Sequence, residues 1–118
     1  MEHVHIKQFE SISNAYKVLR YARNLVDRGW CRKHAFIVHE GRKIARCSSQ
    51  AMSDAAYDLN ADWFEAEQFF KNAIGMHDIP GWNDRDERTK SEVLAAFDKA
   101  MNIAVVSNLI KQSHCDLL

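Results

Sequence analysis

Glycine and proline are scarce in this chain, and they stand in only a few places. Four glycines and one proline are spread over 118 residues, at Gly29, Gly41, Gly75 and the pair Pro80-Gly81. Because these residues most often end helices or start turns, their scarcity predicts long helices and few turns. One hydrophobic core suffices at this length, so we expect a single domain over residues 1–118, with a lead segment at 1–10 and a frayed tail at 113–118.

Apolar residues at helical spacing predict most of the secondary structure. A first helix should run from Asn14 to Arg28, with Ser13 as its N-cap and Gly29 as a left-handed C-cap. Further helices are expected at 49–59, from the capping box Asp62-x-x-Glu65 to Gly75, and from a second box, Thr89-x-x-Glu92, through Leu109. Trp63 and Phe64 are assigned to the core.

The only clear strand signal lies between the first two helices. Apolar stretches at 35–38 and 43–45 flank His39-Glu40-Gly41-Arg42, a pattern typical of a short β-hairpin. Two strands alone are marginal, so the hairpin is expected to lie against the helices. The predicted fold class is therefore α+β and mainly helical, with about four helices around a long C-terminal helix and a small β-hairpin.

Composition restricts the cellular setting. The start of the chain has no signal-peptide pattern and no apolar run is seen that approaches the roughly 18 residues of a membrane span, so a cytoplasmic protein without a membrane partner is expected. Three cysteines, an odd number, argue against a disulfide framework. No cofactor motif is present, and the oligomeric state is open, a homodimer being one option.

The most distinctive segment is Ile79-Pro80-x-Trp82-Asn83-Asp84-x-x-x-Arg88-Thr89-x-x-Glu92-Val93-Leu94. Together with Arg-Gly-Trp at 28–30 and a Cys-x-x-x-Ala step at 47–51, it resembles a family of uncharacterised small proteins of bacteria and bacteriophages, over about residues 14–104. In that family a glycine commonly stands where this chain has Gln50. The resemblance implies a fold and a bacterial or phage origin, and no activity.

Two interpretations of this segment are open. In the first, Trp82 is buried, Asn83 and Asp84 bond backbone amides, and Arg88 pairs with Asp84, so that the segment fixes the entry into the last helix. In the second, the segment is an exposed recognition patch of the kind found at interface hot spots. The candidate binding residues are then Trp82, Asn83, Asp84, Asp86, Glu87 and Arg88.

Charge is divided unevenly along the chain. Residues 1–46 hold 10 Lys/Arg and 4 acids, whereas residues 47–118 hold 6 and 12. A nucleic-acid site is therefore a second hypothesis, although the pI of about 7.0 is far below the usual basic footprint. Its residues would lie on the first helix and the hairpin: Arg20, Arg23, Arg42, Lys43 and Arg46. The acidic half could instead present carboxylates to a basic partner.

Metal binding and thiol chemistry have the weakest support. Cys31, His34, His39 and Cys47 supply four potential ligands, but their spacing lacks the paired short intervals of a zinc site. A thiol dyad of one of these cysteines with one of these histidines lacks any orienting motif.

No catalytic motif is found, so we expect a non-enzymatic protein-interaction module that acts on a host or phage protein. A phage-encoded inhibitor of a host defence protein, including an anti-CRISPR-like role, is its concrete form. A nucleic-acid-associated regulator is the alternative, and a metal- or thiol-dependent enzyme ranks third.

Overall fold

A computed structural model describes the backbone of residues 2–117 and the side chains of residues 14–111. The described residues form five helices and one antiparallel hairpin. Their order is α1 (Glu2–Arg28), β1 (Phe36–His39), β2 (Arg42–Arg46), α2 (Ser48–Asp58), α3 (Phe64–Ile74), α4 (Ile79–Asn83) and α5 (Lys90–Leu117). The predicted fold class, α+β and mainly helical with a long C-terminal helix and a small hairpin, is confirmed.

Both terminal helices are longer than predicted. Helix α1 begins at Glu2, so the expected lead segment is helical and Ser13 lies within the helix instead of capping it. Helix α5 continues to Leu117 where a frayed tail was expected. The physical reason is that no glycine or proline precedes Gly29 or follows Gly81, so nothing in the sequence stops either helix.

The core lies where α1, α2 and α3 pack around the first half of α5, with α1 and α3 in direct contact with α5. Its fully buried large side chains come from each of these helices: Val18, Leu19, Val26, Met52, Phe70, Val93 and Phe97. Burying one such side chain contributes about 1.5–3 kcal/mol, so this cluster is the main source of stability. Small residues, among them Ala51, Ala55 and Ala100, bring the helix backbones close together.

The second half of α5 is more exposed than its apolar spacing predicts. Ala104 is buried, but Leu109, the last residue of the predicted apolar stripe, is largely exposed. The stretch Lys90–Lys111 has a mean hydropathy of 1.4 over its best 18 residues and is long enough to cross a membrane, contrary to the expectation that no such stretch exists. The core helix of a soluble protein passes the same test, so this is weak evidence for a membrane span.

The hairpin forms as predicted but projects from the helices. Glu40 and Gly41 have positive φ angles of 51° and 75°, the two-residue turn that suits the twist of a hairpin. The register pairs His39 with Arg42 and Ile37 with Ala45, with a bulge at Ile44. All four residues of β1 are exposed and only Ala45 of β2 is buried, so the expectation that the hairpin lies against the helices is met by β2 alone.

Gly29 ends α1 for a reason other than the predicted left-handed cap. The φ angle of Gly29 is not positive, so the residue does not adopt the left-handed conformation of such a cap. A Cβ atom at this position would lie 1.9 Å from the carbonyl oxygen of Ile44. Glycine is therefore needed because β2 crosses the end of α1 at close range, which fixes the hairpin to the helical core.

Candidate functional site

The distinctive segment at residues 79–94, called the signature segment from here on, folds into the short helix α4, the loop that leads to α5 and the start of α5. Asp78 caps α4 by accepting a hydrogen bond from the amide of Gly81 at 3.0 Å. A Cβ on Gly81 would lie 2.2 Å from the Asp78 carboxylate, so a larger residue would displace the capping side chain. Pro80 stands in the first turn, where its missing N–H has no helical partner to lose.

Trp82 is a core residue. It is 8% exposed, and its ring meets Phe70 edge to face at a centroid distance of 5.7 Å. The Arg88 guanidinium lies over the Trp82 ring, 4.0 Å from its centroid, and its Nε donates to the carbonyl oxygen of Trp82 at 2.9 Å. The predicted pair between Arg88 and Asp84 is wrong, because Arg88 binds Glu92 instead, at 2.9 Å.

Asn83 joins three distant parts of the chain. Its fully buried amide oxygen accepts from the indole Nε1 of Trp30 at 2.9 Å and from the backbone and hydroxyl of Ser48 at 3.1 and 2.6 Å. Its amide nitrogen donates to the carbonyl oxygen of Cys31 at 3.1 Å and to Asp84 at 3.0 Å. Buried polar groups need such partners, so Asn83 holds the end of α1, the start of α2 and α4 together.

The acidic residues of the loop are bound by neighbouring groups. Asp84 accepts from the backbone amide of Lys33 at 2.8 Å, Asp86 pairs with the Lys33 ammonium at 3.3 Å, and Glu87 pairs with Arg85 at 3.3 Å. The Arg32 side chain donates to the carbonyl oxygens of Arg85 and Asp86. An exposed recognition patch that includes Trp82 and Asn83 is therefore wrong, because both residues are buried.

The predicted capping box at the start of α5 is formed. The amide of Glu92 donates to the Thr89 hydroxyl at 3.2 Å, and the amide of Thr89 donates to the Glu92 carboxylate at 3.1 Å. Hydrogen bonds from the Thr89 backbone and hydroxyl, with Arg88 nearby, hold the pKa of Glu92 below its ordinary value. The signature as a whole therefore builds the connection between α3 and α5.

The sequence model of a protein family matches most of the chain. The sequence model of DUF6197, a family of unknown function, covers residues 13–103, from within α1 to the middle of α5 and including the whole signature. The chain belongs to this family. The match confirms the predicted resemblance to an uncharacterised family. No curated protein and no solved structure matches the chain significantly.

The residues of the nucleic-acid hypothesis do not form one free basic surface. Arg23 pairs with Asp98 at 2.6 Å, and Lys43 and Arg46 both bind Asp54, at 3.1 and 2.7 Å. Burial alone would raise the pKa of Asp54, but hydrogen bonds from Arg46, Gln50 and Lys43 outweigh it and hold that pKa below its usual range. Only Arg20, which lies over the Tyr16 ring, and Arg42 remain as exposed cations of the predicted set.

The four metal and thiol candidates are divided between two places. Cys31 and Cys47 are buried free thiols, whereas His39 lies at the far end of the hairpin. Cys31 donates to the carbonyl oxygen of His34 at 3.3 Å, and Cys47 accepts from the amide of Gln50 at 3.4 Å. Burial, with Cys47 and Asp84 nearby, raises the pKa of Cys31, the opposite of what an activated thiol needs. Within residues 14–111 no three His, Cys, Asp or Glu side chains are grouped to hold a metal ion.

A different segment exposes the residue types that interfaces favour. Tyr57 is 86% exposed, Phe64 65% and Trp63 49%, on the last turn of α2 and the first turn of α3. Exposed carboxylates of Asp58, Asp62 and Glu65 lie between and beside them in sequence. We define these six residues as the aromatic–acidic surface. Among the described residues its carboxylates have no ion pair. Asp58 accepts from the Tyr21 hydroxyl at 2.8 Å, which raises the pKa of Tyr21.

Two cavities meet at Trp63. One, of about 380 Å³, lies between the loop at Lys33, the start of α2 and α4; the other, of about 520 Å³, lies beside Tyr57 and Asn60. Ser53 and Trp63 line both, so the indole ring stands in the middle of a surface depression that follows α2. Such a depression next to an exposed aromatic side chain can receive a side chain of a partner.

Sequence reasoning missed this surface because it assigned Trp63 and Phe64 to the core. The predicted box at Asp62 does not form, since Asp62 accepts from the amide of Phe64 at 2.8 Å and α3 starts there without a side-chain cap. A signal was present: the buried stripe of α3 is Ala66, Phe69 and Phe70, and Phe64, two residues before Ala66, is off that helical face.

Proposed function

We propose that the chain is a non-enzymatic protein-interaction module that binds a basic region of a partner protein through the aromatic–acidic surface. The observation that carries the proposal is the exposure of Tyr57, Trp63 and Phe64 on adjoining helix ends. Tyrosine and tryptophan dominate binding energy at interfaces. Contiguous exposed apolar patches mark interaction sites on soluble proteins, and Tyr57 and Trp63 line the same depression.

Charge supports a basic partner. The carboxylates of Asp58, Asp62 and Glu65 are unpaired among the described residues, whereas those of Asp54, Asp86 and Glu87 have basic neighbours within the chain. Unpaired carboxylates beside an apolar anchor steer a basic partner and fix its orientation. The same comparison disfavours the nucleic-acid alternative, because three of its five residues form ion pairs within the chain, Arg23 with Asp98 and both Lys43 and Arg46 with Asp54.

The biological form we propose is a phage-encoded, cytoplasmic inhibitor of a host defence protein, an anti-CRISPR-like role included. The family resemblance to small bacterial and bacteriophage proteins supports this form. It is tested by expressing the chain in cells with active CRISPR immunity and counting plaques of a targeted phage. Restored plaques that are lost with Trp63→Ala are expected, and unchanged immunity contradicts this form for that defence system.

The interaction itself is tested in two steps. Proteins captured from a bacterial lysate by the tagged chain are identified and purified, and their dissociation constants are then measured directly by calorimetry. We expect Trp63→Ala and the pair Asp62→Lys plus Glu65→Lys to weaken binding at least about tenfold, the effect of losing about 1.4 kcal/mol at a hot spot. Binding should also weaken as salt rises.

The matched control carries the same charge reversal on the signature loop. Asp86→Lys plus Glu87→Lys should change the dissociation constant less than about threefold, since rim charges away from the contact have small effects. Equal loss in this control, or full binding by Trp63→Ala, contradicts the assigned surface. Capture of nucleic acid alone, with no direct protein binding, contradicts the proposed class of function.

A further inference from the structure

The outer edge of β1 has free backbone groups. Ala35 accepts from the amide of Cys47 at 2.8 Å, and His39 closes the two-residue turn with Arg42. Because antiparallel pairing alternates, Ala35, Ile37 and His39 direct their backbone groups toward β2, whereas Phe36 and Val38 direct theirs away from it. Among the described residues no backbone hydrogen bond from outside the hairpin reaches Phe36 or Val38.

Apart from the shortness of β1, this edge lacks the usual protection. Phe36, Ile37 and Val38 are all exposed, and no proline or lysine interrupts the strand. The bulge that would distort an edge is on β2, at Ile44. By contrast, the outer edge of β2 is covered at Arg46, which bonds the backbone of Gly29 and Cys31. Native proteins normally cover or charge a free edge of this kind, because it is ready to pair with another strand.

We infer that β1 pairs in antiparallel fashion with β1 of a second copy of the chain, with Ile37 of both copies at the two-fold axis. In this register Phe36 of each copy lies opposite Val38 of the other, as a hydrogen-bonded pair. All four outward N–H and C=O groups of each strand then find a partner. The product is a four-stranded sheet in the order β2-β1-β1-β2, and four strands are more stable than an isolated two-stranded hairpin.

Side chains and charges fit the same register. Phe36 and Val38 of opposite copies meet on one face of the sheet, and the two Ile37 side chains meet on the other. Acidic Glu40 follows one end of β1, and Lys33 and His34 precede the other end. Antiparallel pairing places the acidic Glu40 of each copy at the end of the other strand that follows the basic Lys33, so unlike charges lie at the same ends of the paired strands. The inference is independent of the proposed function, because it uses none of the residues of the aromatic–acidic surface.

The register is tested by a cysteine at the axis. The two Ile37 residues form a non-hydrogen-bonded pair, whose Cα atoms lie about 4.5 Å apart, within the range of a disulfide. Ile37→Cys is made in a Cys115→Ser background and treated with glutathione disulfide. Two protein thiols become one interchain disulfide while one glutathione disulfide is reduced to two glutathiones. Most of the protein should run as a linked dimer on a non-reducing gel.

The matched control is Ile44→Cys in the same background. Ile44 is 51% exposed and Ile37 41%, so both new thiols are accessible, but only Ile37 lies on the proposed axis. Cys31 and Cys47 are present in both variants. Little linked dimer is expected from Ile44→Cys. Equal cross-linking of the two variants overturns the register.

Association without a cross-link is measured by analytical ultracentrifugation of the full chain, from micromolar to near-millimolar concentration. A dimer fraction that rises with concentration is expected. Val38→Pro removes an outward N–H and leaves the bonds to β2 in place, so it should raise the dimer dissociation constant at least about tenfold. If circular dichroism shows that Val38→Pro does not fold, Ile37→Lys, which places like charges at the axis, takes its place. A chain that stays monomeric throughout, or a dimer unaffected by the folded variant, overturns the inference.

Discussion

Trp82 and Trp63 have similar neighbours in the sequence and opposite environments in the structure. Both lie near acidic residues and a capping-box pattern: Trp63 lies within Asp62-x-x-Glu65, and Trp82 lies two residues before Asp84 and seven before Thr89-x-x-Glu92. Trp82 is 8% exposed and Trp63 49%. The polar neighbours of Trp82 bind groups within the chain, as Asn83 does with Trp30 and Ser48, whereas Asp62 and Glu65 beside Trp63 have no cationic partner among the described residues. The residues around Trp82 are therefore part of the fold, and the exposed aromatic side chains lie elsewhere.

Alanine substitution of Trp82 and of Trp63 should give the largest difference in the free energy of unfolding. Trp82→Ala removes a buried ring that contacts both Phe70 and Arg88, and we expect it to lower the free energy of unfolding by about 3–5 kcal/mol. Trp63→Ala should change it by less than about 0.5 kcal/mol, as for most surface substitutions. Urea denaturation followed by circular dichroism measures both. Similar losses in the two variants would remove the distinction between a structural and a surface tryptophan.

Asn83→Ala tests whether the hydrogen bonds around Trp82 are structural. The change leaves the indole N–H of Trp30, the hydroxyl of Ser48 and the carbonyl of Cys31 without their partner. Since each buried unpaired group costs about 1–3 kcal/mol and water can satisfy some of them, a loss of about 2–4 kcal/mol is expected. Asn102→Ala, at an exposed position of α5, is the control and should change stability by less than about 0.5 kcal/mol. An equally small effect at Asn83 would contradict its role as a junction.

The two capping-box patterns, at Thr89 and at Asp62, should differ by a smaller amount in their contribution to the free energy of unfolding. The box at Thr89 is formed, so Thr89→Ala should lower the free energy of unfolding by about 1 kcal/mol. The box at Asp62 is not formed, so Glu65→Ala, which removes its second member, should have an effect below about 0.5 kcal/mol. Denaturation midpoints of the two variants measure the difference. A larger loss at Glu65 would show that the second box forms in solution.

The sequence predicted well the features that depend on residues close to one another along the chain. Helical spacing predicted the core faces, Glu40-Gly41 the hairpin turn, and Thr89-x-x-Glu92 a formed box. The errors concern partners that are distant along the chain. Asn83 is held by residues 53 and 35 positions away, and Arg88 stacks on Trp82 instead of pairing with Asp84. Phe64 was misplaced because its apolar character was considered without the helical face, and Trp63 because it precedes the first residue of α3. The proposed function stays a prediction.

The smallest expected effect is the acid sensitivity of the formed box. Hydrogen bonds from Thr89, with Arg88 nearby, hold the pKa of Glu92 below its ordinary 4.5. A carboxyl whose pKa is lower in the folded chain contributes stability that is fully present above its unfolded pKa and is lost as pH falls through the folded value. The free energy of unfolding of the wild-type chain should therefore fall more steeply below pH 4.5 than that of Glu92→Gln, which has no proton to bind at that position. Asp54, whose pKa is also lowered, titrates in both proteins, so its effect cancels in the difference.

Thr89→Ala keeps the backbone hydrogen bond to Glu92 and loses the one from the hydroxyl, and it should give an intermediate slope. Urea denaturation at a series of pH values measures all three, and identical slopes for wild type and Glu92→Gln would show that the box at Thr89 makes no more use of its carboxylate than the unformed one at Asp62.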